Sequence, residues 1–88
     1  MDKKELEIAL VYAESQEAIL RDELRIAEIN YTDEIQRYSV STDGSIAQEV
    51  RRDASLEKFR NIERAAQTAL VNQTQVVSDL RTQLHSYH

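Results

Sequence analysis

From Leu6 to Tyr38, apolar side chains recur at alternating spacings of four and three: Leu6, Leu10, Ala13, Leu20, Leu24, Ala27, Tyr31 and Tyr38, with Glu17 and Glu34 at the two interrupted positions. This is the heptad seam of a long helix, because such spacing keeps one stripe of side chains turned toward a neighbouring helix. Carried past Tyr38, the same register lands on Ser41, Ser45, Gln48, Arg52 and Ser55, and there the seam stops. It resumes at Phe59 and runs through Ile62, Ala66, Ala69, Val76, Leu80 and Tyr87, with Gln73 and Gln83 as polar exceptions. The break coincides with the run Ser39-Val40-Ser41-Thr42-Asp43-Gly44-Ser45. Gly44 can take the left-handed conformation that ends a helix, and Ser45 with Gln48 has the capping-box spacing that starts another. Asp2 and Glu5 have the same spacing at the start of the chain. The pattern predicts a helix over about 2–40, a turn over about 41–45 and a helix over about 46–86, each arm roughly 60 Å long.

The first arm carries more apolar residues than one seam requires. Tyr12, Ile19 and Ile26 form a second row at heptad spacing, about 100° around the helix from Ala13, Leu20 and Ala27, and Ile8 and Ile29 extend that side. A helix with apolar rows in two directions packs against two neighbours. The second arm also has apolar residues outside its seam: Ile46, Val50 and Ala54 in line before it resumes, then Leu56, Leu70, Val71 and Val77.

Composition narrows the fold further. The 88 residues include one Gly and no Pro, which removes the tight turns that an all-β or α/β fold of this length needs. Charge divides unevenly between the arms. Residues 2–40 hold ten acids and five bases, and residues 46–88 hold five acids and six bases, so the arms are net −5 and +1; Asp43 completes the chain's −5. Unlike charge along facing edges favours antiparallel arms, and pairs such as Glu17 with Arg21 and Asp33 with Arg37 have the spacing that supports solvated helix faces. Two helices bury one seam, and a chain this short usually needs a staple, a metal or a partner; with no Cys it has no disulfide staple. The expected fold class is all-α: an antiparallel, coiled-coil-like two-helix hairpin, a single domain over 1–88, that dimerises into a four-helix bundle. An uninterrupted rod or an arm-swapped hairpin is the competing arrangement. The intrahairpin seam is expected at Leu6, Leu10, Leu20, Leu24, Tyr31, Phe59, Ile62 and Leu80, and the self-association interface at Tyr12, Ile19, Ile26 and Ile29.

Chemical motifs are sparse. His85 and His88 have a spacing at which two helical imidazoles can share a metal, but no carboxylate or thiolate completes a set, and solvated histidines are expected. Glu17 and Glu34 read as polar seam residues that fix register or reach water, rather than as functional buried carboxylates. One Gly leaves no phosphate cradle or nucleophile elbow, and the serines and threonines at 39, 41, 42 and 45 suit capping. The expectation is therefore no enzyme: no catalytic residue, no cofactor, no metal site and no small-molecule substrate. Arg51, Arg52, Lys58, Arg60 and Arg64 could meet phosphates, but Glu49, Asp53, Glu57 and Glu63 are interleaved, so a face complementing the acidic first arm is the expected role. The aromatic residues, Tyr12, Tyr31, Tyr38, Phe59 and Tyr87, are expected to pack, with Tyr38 and Tyr87 near opposite ends of the hairpin. No continuous Lys/Arg face marks a membrane-surface helix, no apolar run is long enough to span a bilayer, and the first residues do not form a signal peptide, so a cytoplasmic location is expected.

In length and helical-hairpin shape the chain is similar to small components of bacterial secretion machines, needle subunits and their co-chaperones, although the Pro-containing turn of needle subunits is absent. The Rop-like plasmid RNA modulators are similar in architecture, without a shared motif. The expected function is a non-enzymatic protein–protein interaction module, a self-associating hairpin acting as structural adaptor, scaffold or small chaperone. Its expected partners are a second copy and another protein. The alternatives are a secretion-type co-chaperone holding a partner helix, and a Rop-like nucleic-acid modulator.

Overall fold

The computed structural model describes the backbone of residues 2–39 and 46–87 and the side chains of residues 2–37 and 51–87; the expected turn at 41–45 and the side chain of Tyr38 lie outside the described residues. Two helices account for nearly all of it, α1 (Lys3–Ser39) and α2 (Ile46–His85). The capping signal at the start of the chain acts as its spacing predicts. The Glu5 amide donates to Asp2 Oδ1 at 2.8 Å, satisfying one of the free amides of the first turn, while the Leu6 amide makes the first helical hydrogen bond, to the Asp2 carbonyl at 3.0 Å. At the other end, the Tyr87 amide donates to the Leu84 carbonyl at 3.2 Å, which tightens the last turn of the chain.

The helices pack against each other and run antiparallel. Gln73 reaches Ala13, Arg60 reaches Tyr31 and Ser55 reaches Glu34, so partners on α2 fall in number as α1 advances. On α1 the line of contact is the predicted heptad seam. Leu6, Ala13, Ala27 and Glu34 are buried, and Leu10, Glu17, Leu20, Leu24 and Tyr31 are half-buried.

On α2 the seam differs from the expectation in two ways. Phe59, Ala66, Gln73 and Leu80 lie on it as expected, but the alternate positions are Leu56, Glu63, Leu70, Val77 and Leu84. Ile62, assigned to the seam from its spacing, is 46% exposed and Val76 is 44% exposed, while the adjacent Val77 is buried; Tyr87 is exposed as well. The physical reason is volume. Stepping four residues from Arg52 or Phe59 rather than three turns Leu56, Leu70, Val77 and Leu84 inward, four large apolar side chains, where the other choice offers Ile62 and Val76 with Ser55, Ala69 and Gln83. The seam also does not stop at the polar stretch: Arg52 and Leu56 are half-buried on it, and Ser55 beside it is bonded across the hairpin to Glu34.

The resulting core is thin. Among the described residues, the apolar side chains that are buried are Leu6, Ala13, Ala27 and Val77, and of these Val77 is the most enclosed. The molecule measures 67 × 15 × 14 Å, and its radius of gyration is 19.6 Å, against about 12 Å for a compact domain of this length. It exposes 6735 Å², where a compact monomer of this mass exposes about 5,300 Å².

Candidate interaction surface

Polar groups at the seam tie the two helices in one register. Glu34 is only 8% exposed; its Oε1 accepts the Ser55 hydroxyl at 2.9 Å and its Oε2 lies 4.0 Å from Arg37. Arg37 therefore sits with Glu34 rather than with the predicted partner Asp33. Gln73 donates through Nε2 to the backbone carbonyl of Ala13 at 3.0 Å. This contact is possible because Ala13 is too small to block the approach. Glu17 lies on the seam and is held from within its own helix by Arg21, at 3.3 Å and the predicted spacing.

Cross-helix contacts also fix which flank of the hairpin is which. Arg81 lies 3.6 Å from Glu14, and Arg60 donates through Nε and Nη2 to the Tyr31 hydroxyl at 3.3 and 3.1 Å, with its guanidinium carbon 5.9 Å from the centre of the Tyr31 ring. The hydrogen bond to Tyr31 holds the Arg60 guanidinium above its ordinary pKa. A group raised in this way keeps its charge at every pH below that value, so the contact has no physiological pH dependence. This flank is lined by Glu7, Glu14, Arg21 and Glu28 of α1 and by Arg60, Gln67, Thr74 and Arg81 of α2, all exposed. The other flank is lined by Ala9, Gln16, Glu23 and Asn30 of α1 and by Ser55, Ile62, Ala69 and Val76 of α2. Ala9, Gln16, Ser55 and Ala69 are half-buried there.

The second apolar row of α1 adjoins this other flank. At ~100° per residue, Tyr12, Ile19 and Ile26 lie about 130° from the middle of the seam, on the same side as Ala9 and Gln16. They are 67%, 50% and 54% exposed. Ile29 and Ile8, also exposed, lie about 60° further round and face directly away from α2. The four residues expected to form one interface thus occupy two adjoining rows. Ile62 and Val76, displaced from the seam, join the first of them across the hairpin, which spacing alone did not reveal.

The two flanks differ sharply in charge. Across residues 9–30 and 55–76, the apolar flank and its adjoining rows have fourteen positions, of which Glu23 and Lys58 are charged. The opposite side has twelve positions over 11–28 and 57–74, and seven of them are charged: Glu14, Arg21, Arg25, Glu28, Glu57, Arg60 and Arg64. One broad side of the hairpin is therefore suited to lose its water, and the other is suited to keep it.

Other chemistry is sparse among the described residues. No three His, Cys, Asp or Glu side chains converge as metal ligands, and His88 lies outside them. No helix is long and apolar enough to cross a membrane. Five of the six basic residues of α2, those from Arg51 to Arg64, do not form one strip: Arg52 is half-buried at the seam, Arg60 is engaged with Tyr31, Arg51 and Lys58 are exposed on one row, and Arg64 is exposed on the opposite side of the helix. Shallow depressions follow the helix faces, one of them lined by Asn61, Arg64, Ala65, Thr68, Ala69 and Asn72 on the outer side of α2. The chain matches no protein-family model, no curated protein and no solved structure.

Proposed function

We propose that this chain is a non-enzymatic protein–protein interaction module, a self-associating helical hairpin that works as a structural adaptor, scaffold or small chaperone. The observation that carries this reading is the row Tyr12, Ile19 and Ile26, half or more exposed along a helix whose other apolar stripe is already covered by α2. Large apolar side chains aligned along one face, rather than scattered singly, mark a surface that another molecule covers. The thin core supports the same reading, because four buried apolar side chains, two of them alanines, give a hairpin little independent stability. A dimer of hairpins, forming a four-helix bundle, meets both needs at once. A cysteine-free chain requires no oxidising compartment, and the cytoplasm is the setting we propose.

Sedimentation equilibrium at micromolar concentration tests this directly. The expected mass is twice the 10.2 kDa of the chain, and the double variant Ile19→Asp/Ile26→Asp is expected to sediment as a single chain with part of its helical signal lost. A stable, cooperatively unfolding 10.2 kDa species in the unaltered protein would overturn the proposal.

A further inference from the structure

We infer that the second copy docks on the apolar flank of both helices, turned about an axis parallel to the hairpin, so that α1 of each copy lies on α2 of the other and both copies of α1 point toward the same end of the bundle. This rests on the self-association proposed above and specifies its surface and geometry. Three observations carry it.

The flank forms a second, continuous heptad seam on each helix. On α1 it runs Ala9, Tyr12, Gln16, Ile19, Glu23, Ile26 and Asn30; on α2 it runs Ser55, Lys58, Ile62, Ala65, Ala69, Asn72 and Val76. Alternating three- and four-residue steps are the condition for packing against a further helix along its whole length. The interface therefore includes Ile62 and Val76 of α2 as well as the isoleucine row of α1.

Shape and level then select the pairing. Gln73 lies level with Ala13 and Ser55 with Glu34, so Ile19 lies level with about residue 68 and Ile26 with about residue 62. An axis along the hairpin preserves these levels between copies. It places Ile19 over Ala65 and Ala69, Tyr12 over Asn72 and Val76, and Ile26 beside Ile62. Ile19 then meets two alanines and Tyr12 meets Asn72 as well as Val76, and only Ile26 with Ile62 sets isoleucine against isoleucine, which keeps most of the interhelical spacing even. An axis across the hairpin would instead set α1 on α1, with isoleucine against isoleucine, and α2 on α2, with alanine against alanine, prising the bundle open along one edge.

Charge selects the same geometry. α1 on α2 alternates an arm of net −5 with one of net +1 around the bundle, and it puts Glu23 and Lys58, the two charges of the flank within residues 9–30 and 55–76, on facing helices with opposite sign, about seven residues apart in level. α1 on α1 would bring two arms of net −5 together and set Glu23 against its own copy.

Because the chain has no Cys, single thiols report proximity without background. Differently tagged chains carrying Ile19→Cys and Ala69→Cys are refolded together and treated with a short bis-maleimide; Tyr12→Cys with Val76→Cys forms an independent second pair, and Val71→Cys on the charged side is the control. Mixed crosslinked dimers are expected from both pairs, with little product from Ile19→Cys alone or from Val71→Cys. Efficient crosslinking of Ile19→Cys to itself would overturn the axis, and crosslinking through Val71→Cys would overturn the flank. Circular dichroism and sedimentation of each reduced variant separate a folding failure from a wrong geometry. A wild-type chain that sediments as a dimer while neither mixed pair reacts defeats this inference and leaves self-association standing, whereas a monomeric wild type defeats both.

Discussion

Glu34 and Gln73 occupy seam positions where apolar side chains are the rule, and each finds its partner on the opposite helix. Glu34 accepts from the Ser55 hydroxyl, and Gln73 donates to the carbonyl of Ala13. Such pairs add little net stability over an apolar contact, but removing one partner leaves the other unsatisfied. Glu34→Ala is therefore expected to lower unfolding free energy by about 1 kcal/mol. Glu34→Leu, which replaces the polar group with apolar volume, is expected to be neutral or stabilising while loosening the register. Urea titration followed by circular dichroism compares the two. A larger loss for Leu than for Ala would mean that the carboxylate does more than satisfy Ser55. The presence of polar residues at 17, 34 and 73 was legible from the heptad, but not their partners, since Ser55 and Ala13 are distant in sequence and nothing in their own context marks them.

At the scale of the element, α1 was readable and α2 only partly so. The α1 seam has one good choice at every step, because the residues beside Leu6, Leu10, Leu20 and Leu24 do not form a rival stripe in the same direction. On α2 two stripes compete one residue apart: Ser55, Ile62, Ala69, Val76 and Gln83, or Leu56, Glu63, Leu70, Val77 and Leu84. The spacing that favours Ile62 locally loses to the four large side chains that turn inward together, and Glu63 is carried into a half-buried position as the consequence. Glu63→Leu should therefore raise the urea midpoint without changing the slope of the transition, by an increment of about 1 kcal/mol. A decrease would place Glu63 in a cross-helix role that its position does not suggest. Asp33 and Arg37 teach a similar lesson, since ideal spacing along one helix was overridden when Arg37 turned to the buried carboxylate of Glu34.

For the whole molecule, the dominant fact is an elongated hairpin with a thin core and one charge-poor side. If that side is covered by a second copy, folding and association are linked, and the melting temperature depends on protein concentration. Raising the concentration a hundredfold is expected to raise the melting temperature by several degrees in the unaltered chain and not in Ile19→Asp/Ile26→Asp, as scanning calorimetry or circular dichroism would record. A melting temperature independent of concentration in both would mean that the hairpin is stabilised by its own contacts alone.

The sequence by itself determined that the chain is helical, with a long amphipathic first helix and an apolar row left over on that helix, because heptad spacing and the scarcity of Gly and Pro are local properties that a linear reading captures. What the tertiary structure decided was the rotation of α2 about its own axis. That rotation depends on the summed volume of side chains buried against α1, a quantity shared between two distant segments. It moved Ile62 and Val76 out of the intrahairpin seam and onto the same side as Tyr12, Ile19 and Ile26, and so turned a row on one helix into a face spanning two.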